Sequence, residues 1–414
     1  METADIVVVG AGAAGLFAAI WAGRTNSTAR IVALDSAPRI GAKILISGGG
    51  RCNVTHEHVD QKAFAGSTPA AIRKVLRRFD VEQTIKFFRS LGVELKRESN
   101  GKLFPVSNQA QTVLKALLQA ADTAGVKILA SHRVQSVTRN GSSFTVFGEW
   151  GQFSARKVIL ATGGKSVPKT GSDGHGYSIA TLFGHTLTEK IIPALVPLIL
   201  PQNHFLCKLT GLSAEVELQV RYASGRLLKS FRNSMLCTHF GISGPGVLDI
   251  SRYYIDARHV DPEAGLYVCW IPENTADDIQ TELQQLNRST VISWLRKKLP
   301  ERLARCLCEQ SNVPAETPGY QLTREDRTRL VQTITRMKLP VTGDRGFQYA
   351  EVTAGGVPLN ELNLNTMESR RCHGLYLCGE ICDVDGRIGG FNFQWAWAGG
   401  YIAGVAAGCA VSNS

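Results

Sequence analysis

Apolar residues recur along the chain at two spacings, and the switches between them predict the elements. Asp5 to Val9 is a short apolar run of the kind buried in a parallel sheet, and it breaks at Gly10-Ala11-Gly12-Ala13-Ala14-Gly15. Leu16 to Arg24 continues with helix formers, and Arg30 to Leu34 is a second apolar run that ends in Asp35. Strand, glycine turn, helix and strand in this order predict a βαβ unit. Asn108 to Ala124 carries Val113, Leu114, Leu117 and Leu118 on one helical face and stops at Gly125. Val126 to Thr138 and Ser143 to Phe147 read as strands, and Lys157 to Ala161 reads as a buried strand that breaks at Thr162-Gly163-Gly164. The loop Gly171 to Gly176 then feeds a helix from Tyr177 to Phe183.

At Pro193 the pattern changes. Pro193, Pro197 and Pro201 punctuate short strand-like runs such as Val216 to Tyr222, and helical, basic segments follow from about 276 to 338. The β pattern resumes at Tyr349 to Thr353, Leu375 to Cys378 is again a buried strand ending at Gly379-Glu380, and Gly389-Gly390 precedes a final helix from about Gln394. The reading is an α/β fold with a central parallel sheet, interrupted by an insert: residues 1–192, an insert over 193–345 that is β-rich to 275 and helical from 276, and a return over 346–414.

Bulk properties agree with this reading. A chain of 414 residues is long for one core, and 44% hydrophobic with 20% charged residues describes an ordinary soluble globular protein. An apolar strand follows Met1 with no basic n-region, and neither Ile191 to Leu200 nor Ala396 to Val411 supplies about 20 strongly apolar residues, so a cytoplasmic protein is expected. Ten cysteines without a C-x-x-C pair predict reduced, mostly buried thiols and no metal site. The net charge of +11 is concentrated: Lys62 to Lys102 holds 10 Lys/Arg against 4 Asp/Glu, and Arg288 to Arg345 holds 12 against 6. Either these are amphipathic helices with solvated basic faces, or they are the footprint of a polyanion such as RNA.

The chemistry concentrates at the ends of the strands. Gly10, Gly12 and Gly15 form G-x-G-x-x-G between a strand and a helix, and Asp35 follows Gly15 by 20 residues. Gly12 lets the backbone approach a pyrophosphate at the helix N-terminus, and Asp35 would accept the ribose hydroxyls. This unit alone suits a nicotinamide or a flavin dinucleotide. The C-terminal return, where a strand ends in Gly379-Glu380 and a second glycine turn opens a helix, favours the longer FAD. The stretch Ser47-Gly48-Gly49-Gly50-Arg51-Cys52-Asn53 is, by itself, a phosphate cradle, a cysteine nucleophile or a flexible turn.

GAGAAG, GAKILISGGGRCNVT, GKLFPVSNQAQ, VILATGGKSVP, THFGISGPGVL, EVTAGGVP, TMESRR and GLYLCGEICDVDGRIGGFNFQWAWAGG occur in the order found in the BaiN-like (YhiN-like) family of FAD-binding flavoproteins, which this chain resembles from residue 5 to about 404. The match is poorest between about 200 and 345. The resemblance implies a Rossmann-like, glutathione-reductase-type FAD domain interrupted by a β-barrel and helical insert. It also implies FAD contacts from Gly10, Ala11, Gly12, Ala14, Gly15, Asp35, Lys43, Ser47, Gly48, Gly49, Gly50, Arg51, Cys52, Asn53 and Val134. Further along, Ala161-Thr162-Gly163, Gly379-Glu380 with Asp383, and Gly389-Gly390-Phe391-Asn392 complete the set, the last turn aiming amides at the pyrimidine edge of the flavin.

Cys52 is the first candidate proton donor, because a thiol beside Arg51 and backbone amides would be acidified, although it could equally be a small packed residue. His239, in Cys237-Thr238-His239-Phe240, is the second, with turn anchoring as its plainer explanation. His175 reads as a cap, Asp383 and Arg387 as substrate orienters or a mutual pair, and Phe391, Phe393, Trp395 and Trp397 as flavin walls or packing. No second G-x-G-x-x-G is present, so NAD(P)H, the expected electron donor, would dock transiently over the flavin. Relatives in the family are described as acting on the enone of steroid-like bile acids or on uridine in ribosomal RNA, giving dihydrouridine. The basic segments favour RNA, although no recognisable RNA-binding motif accompanies them. A flavin-containing redox sensor is the alternative of another class, which unpaired cysteines disfavour. Neither DNA nor a membrane is expected as a partner, and the pattern sets no oligomeric state.

Overall fold

The structure is a computed structural model and describes residues 2–412. The chain divides into two compact units, Met1–Pro193 with Glu351–Ser414, and Ala194–Ala350.

The first unit is built on a nine-stranded sheet. Its first strand, β1 (Glu2–Val9), lies parallel between β2 (Ile31–Leu34) and the long strand Gly151–Leu160. Val126–Leu129 extends the parallel order beyond β2, and Leu375–Leu377 extends it beyond Gly151–Leu160. Ile6 to Val8, Ile31 to Leu34, Val158 to Leu160 and Leu375 to Leu377 are all buried, as runs covered on both faces must be. The expected strand over 126–138 is two strands, Val126–Leu129 and Ser136–Asn140, because Ser131 takes a left-handed φ of 55° and the chain turns there. The other sequence-derived strands and helices are found with ends shifted by a few residues, and Gly151–Leu160 starts earlier than its apolar part.

Helix α1 (Ala13–Thr25) and the final helix (Phe391–Ser412) lie against one another with almost no side chain between them. A Cβ on Gly400 would fall 2.6 Å from Ala14 O, one on Gly404 2.2 Å from Ala18 O, and one on Gly408 2.9 Å from Ala22 O. Glycines four residues apart thus face alanines four residues apart, which lets two backbones touch. This explains the small-residue tail of the sequence as a packing face. Among the described residues no helix is long and apolar enough to cross a membrane.

The second unit has its own core, around Leu218, Met235, Ile250, Trp270 and Leu307. Seven antiparallel strands run in the order Met337–Leu339, Gly265–Cys269, Ser213–Arg221, Leu227–Thr238, Gly241–Ser243, Leu198–Ile199 and Gly343–Asp344. Among the described residues this hydrogen-bonded path has two ends, Met337–Leu339 and Gly343–Asp344. Helix Pro245–Val260 packs on it, and two of the later helices, Ala276–Gln284 and Arg324–Thr335, open with capping boxes at Thr275/Asp278 and Thr323/Asp326.

In both basic segments a minority of the cations is paired, Lys86 with Glu82 and Arg97 with Glu57 in the first. Helix Pro69–Leu76 buries Ile72, Val75 and Leu76 and exposes Arg73 and Lys74, with Arg77 and Arg78 exposed just beyond it; among the described residues none of these four cations has an ion pair. In the second segment the expected helix at 294–298 ends at Leu295. There Lys298 pairs with Glu282, Arg296 and Arg305 with Glu301, and Arg329 with Asp326.

Candidate functional site

The glycine turn after β1 is fixed by two close backbone approaches that tolerate no side chain. Gly10 has φ 98° and a Cβ there would lie 2.5 Å from Ala161 O, while a Cβ on Gly15 would lie 1.7 Å from Gly10 O. Gly12 is different: a Cβ there meets nothing within 4 Å, and as N-cap of α1 it carries no side-chain cap. The first amides of a 13-residue helix therefore face open space at its positive end. That is the geometry of an anion site.

Asp35 closes the adjoining side. Its Oδ2 accepts from Ala11 N at 2.7 Å and its Oδ1 from Ala37 N at 2.8 Å, so the carboxylate is held at the turn with lone pairs left for a ribose. Burial raises its pKa, against the lowering effect of these two amides. Val134 is buried in the segment following Val126–Leu129, whose Leu129 O accepts from Asp35 N.

The Ser47–Asn53 stretch ends helix α2 (Ala42–Gly50) in a left-handed run: Gly48, Gly49 and Gly50 have φ of 55°, 68° and 83°. At Gly49 and Gly50 it is φ rather than crowding that requires glycine, since each added Cβ would have room. The loop presents exposed glycine backbone, and Asn53, 7% exposed, keeps a buried Oδ1 with no hydrogen-bond partner. A buried acceptor without a donor marks a place where a polar ligand group fits.

At Cys52 the structure favours the packed alternative. The residue is fully buried, and burial pushes its thiol up to about 12, against a weaker lowering by a hydrogen bond with Ser47. Arg51 does not acidify it: the guanidinium pairs with Glu98 at 2.6 Å and lies 4.0 Å above the Phe104 ring. The expected low-pKa acid is a neutral, packed thiol. The other nine cysteines are free as well, and all but Cys306 and Cys409 are buried.

Two further turns join the site. Gly379 has φ 80° and approaches the Ala14 methyl, which would lie 2.7 Å from an added Cβ. Next to it, Glu380 accepts from Ser166 Oγ at 2.9 Å and Thr353 N at 3.0 Å, and pairs with Lys43 at 3.2 Å. Lys43 also donates to Ser166 and Ser172, so four distant segments share one polar network. Sequence reasoning missed Ser166, Ser172 and Thr353, because nothing in a loop serine signals a partner over a hundred residues away. Thr162 Oγ1 is buried without a partner, and Gly163, at φ 73°, abuts Ser172.

The Val54–His56 segment just after the SGGGRCN loop and the Gly389–Trp397 stretch, far apart in sequence, meet. Gly390 passes Thr55 so closely that an added Cβ would lie 2.6 Å from its carbonyl carbon, and Phe391 stacks on His56 at 4.9 Å. Buried Gln394 accepts from Thr55 Oγ1 and Thr84 Oγ1 and donates to Phe79 O. Trp397 donates its indole N–H to Val54 O at 2.9 Å and Trp395 donates to Gly379 O at 3.0 Å. These tryptophans pin two site loops. Asn392 clasps the backbone of Gly386 and Arg387 through both ends of its amide. Asp383 is buried and accepts from Ser67 Oγ.

His239 belongs to the second unit, exposed and edge-on to Phe240 at 5.1 Å. His175 donates its Nε2–H to Gln135 O. A Ser-His-acid arrangement does occur, Ser369 Oγ to His185 Nε2 at 2.8 Å and His185 Nδ1 to Glu361 at 2.7 Å. All three are buried, and Ser369 Oγ already accepts from Arg371 N and Cys372 N, so this is a structural latch and not a nucleophile.

An open helix N-terminus at Gly12, a carboxylate at the end of β2, an exposed glycine loop and an unanswered Asn53 amide fit an extended FAD. Fold and site define a Rossmann-type FAD-binding flavoprotein. The chain belongs to the family described as HI0933-like protein Rossmann domain, which matches residues 4–406 and is a family of FAD-dependent oxidoreductases. It is 36% identical to the 3-dehydro-bile acid delta(4,6)-reductase of Clostridium scindens over 97% of this chain and 98% of that one. It is 33% identical to the ribosomal RNA dihydrouridine synthase of Escherichia coli over 96% of each. Among solved structures, a quinol-fumarate reductase with menaquinol shares the fold, with TM-score 0.51, 16% identity, and coverage of 100% of this chain and 72% of that one.

Proposed function

We propose that this flavoprotein reduces a C=C bond, the C5=C6 bond of uridine in ribosomal RNA, with NAD(P)H as electron donor. The observation that carries the RNA substrate is the strip Arg73, Lys74, Arg77 and Arg78, four exposed cations with no internal partner among the described residues. A second reading, reduction of a steroid-like enone, is favoured by the 36% identity to the bile acid reductase. The insert boundaries at 193 and 345 belong to the same proposal.

In this reading the α1 amides at Gly12 bind the pyrophosphate, Asp35 accepts from the adenosine ribose, and Asn53 Oδ1 takes a hydrogen bond from the sugar-alcohol or ring portion. The Lys43–Glu380 network keeps the Gly379 turn seated against α1. FAD, when bound, supplies two-electron hydride chemistry. The protein must then place a proton on the second carbon, and a thiol at about 12 is badly matched to that task at neutral pH.

Cys52→Ala is accordingly expected to keep FAD and to lose less than about tenfold in turnover, against the roughly 10²–10⁴-fold that removing a general acid costs. Its pH–rate profile should overlay that of the wild type; loss of one limb would restore Cys52 as the acid. The substrate is tested by mass spectrometry of ribosomal RNA from a strain lacking the protein. Loss of dihydrouridine, restored by the gene in trans, is expected. Unchanged content removes the RNA reading, and anaerobic bleaching by NADPH or NADH followed by reoxidation with a steroid enone would then establish the second.

A further inference from the structure

In the second unit, Arg345 lies in the turn after Gly343–Asp344 with its side chain flanked by two rings. Its Cζ is 4.4 Å from the Phe240 centroid and 3.4 Å from that of Tyr349. Its backbone N–H donates to Pro197 O at 3.1 Å, which fixes the turn. The neighbouring Asp344 forms no ion pair with it among the described residues, and its Oδ1 accepts from Gly346 N at 2.7 Å. Among the described residues the Arg345 guanidinium has neither a hydrogen-bond acceptor nor an ion pair. Tyr349 is 50% exposed with its hydroxyl unpartnered, and exposed His239 stands edge-on to Phe240.

This combination is unusual for a surface arginine. Ring stacking removes much of the freedom that an arginine normally loses on binding, while its N–H fork stays unanswered. A fork held in that way suits an anion with two oxygens in one plane, a carboxylate or a phosphate. The aromatic surroundings decide between them, because an exposed tyrosine beside the fork offers a face on which a base can stack.

We propose that Arg345, flanked by Phe240 and Tyr349 with His239 alongside, is a nucleotide-binding site that takes a phosphate on the guanidinium and a base against Tyr349. The phosphate is either a phosphodiester of single-stranded RNA or a phosphate of the nicotinamide dinucleotide. Only the RNA arm rests on the function proposed above.

The test uses the FAD-loaded full chain and its Arg345→Met and Arg345→Lys variants. The probes are a fluorescent oligouridylate, and NADP⁺ and NAD⁺ as non-reacting dinucleotides. Arg345→Met is expected to weaken one class of probe by about ten- to a hundredfold, the range for losing charge-assisted hydrogen bonds. If the oligouridylate is that probe, the slope of log affinity against log salt falls by about 0.7. Arg345→Lys, which keeps the charge and loses the fork, should keep the slope and still lose affinity. It also carries the test if Arg345→Met lowers the thermal midpoint. Loss with the oligouridylate identifies RNA, and loss with a dinucleotide identifies the electron donor. Wild-type affinity of both variants for every probe overturns the proposal. That failure leaves the dihydrouridine measurement untouched, and an unchanged dihydrouridine content leaves the dinucleotide arm standing.

Discussion

Gly12→Val is expected to give a folded protein that purifies without FAD. The space that a side chain would fill at this position is open, and φ of −77° with ψ of −163° is ordinary extended backbone, so the chain itself has no objection. The cost to folding is that of a poorer N-cap, about 1 kcal/mol. The cost to binding is larger, because the new methyls occupy the ground in front of the α1 amides. Losing two amide hydrogen bonds to a charged pyrophosphate amounts to about 3 kcal/mol or more, at least roughly 10²-fold in affinity. Thermal unfolding of the apoprotein and the visible flavin spectrum read the two effects separately. A variant as yellow as the wild type would place the pyrophosphate elsewhere. Gly15 serves as the contrast: its Cβ would lie 1.7 Å from Gly10 O, so substitution there breaks the turn itself.

Gly404→Leu is expected to be the most damaging change outside the cofactor turn. The Cβ would sit 2.2 Å from Ala18 O, a backbone atom that cannot rotate away, so α1 and the final helix must separate. Overpacking of a close interface costs about 1–3 kcal/mol, and parting the flanking Gly400 and Gly408 contacts takes the total beyond about 3 kcal/mol. The better helix propensity of leucine returns less than about 1 kcal/mol. Because α1 begins at the Gly12 site, FAD retention should fall along with the urea midpoint. A midpoint equal to that of the wild type would mean that the helices are not in backbone contact.

What the sequence revealed depended on distance along the chain. The βαβ unit was legible because strand, glycines, helix and Asp35 lie within one local stretch, each with its own signal. The site beyond it was legible as motifs but not as contacts. Lys43 meets Glu380, and Thr55 meets Gln394, across more than 300 residues, and no local pattern encodes such pairings. Trp395 and Trp397 looked like alternating apolar residues, and their indole donors found carbonyls that only the fold places there. At Cys52 the sequence left a proton donor and a packed thiol equally open. The donor reading rested on Arg51, a neighbour in sequence whose charge in space is met by Glu98 and Phe104. The two basic segments looked alike by count and remain alike in pairing, since most cations of each meet no acid among the described residues: Lys86 and Arg97 are paired in the first, and Arg296, Lys298, Arg305 and Arg329 in the second.

The pinning of Val54 and Gly379 by Trp397 and Trp395 has a bearing on synthesis. A ribosome makes the glycine loop and the α1 alanine face long before the Phe391–Ser412 helix that secures both. The second unit, one uninterrupted stretch from Ala194 to Ala350, has its whole sequence available before then. Until the Phe391–Ser412 helix has emerged, the nascent chain carries an uncovered apolar helix and an unsecured loop. Loading of FAD must therefore await that helix, and a chain cut short before Phe391 would be colourless although its βαβ unit is complete.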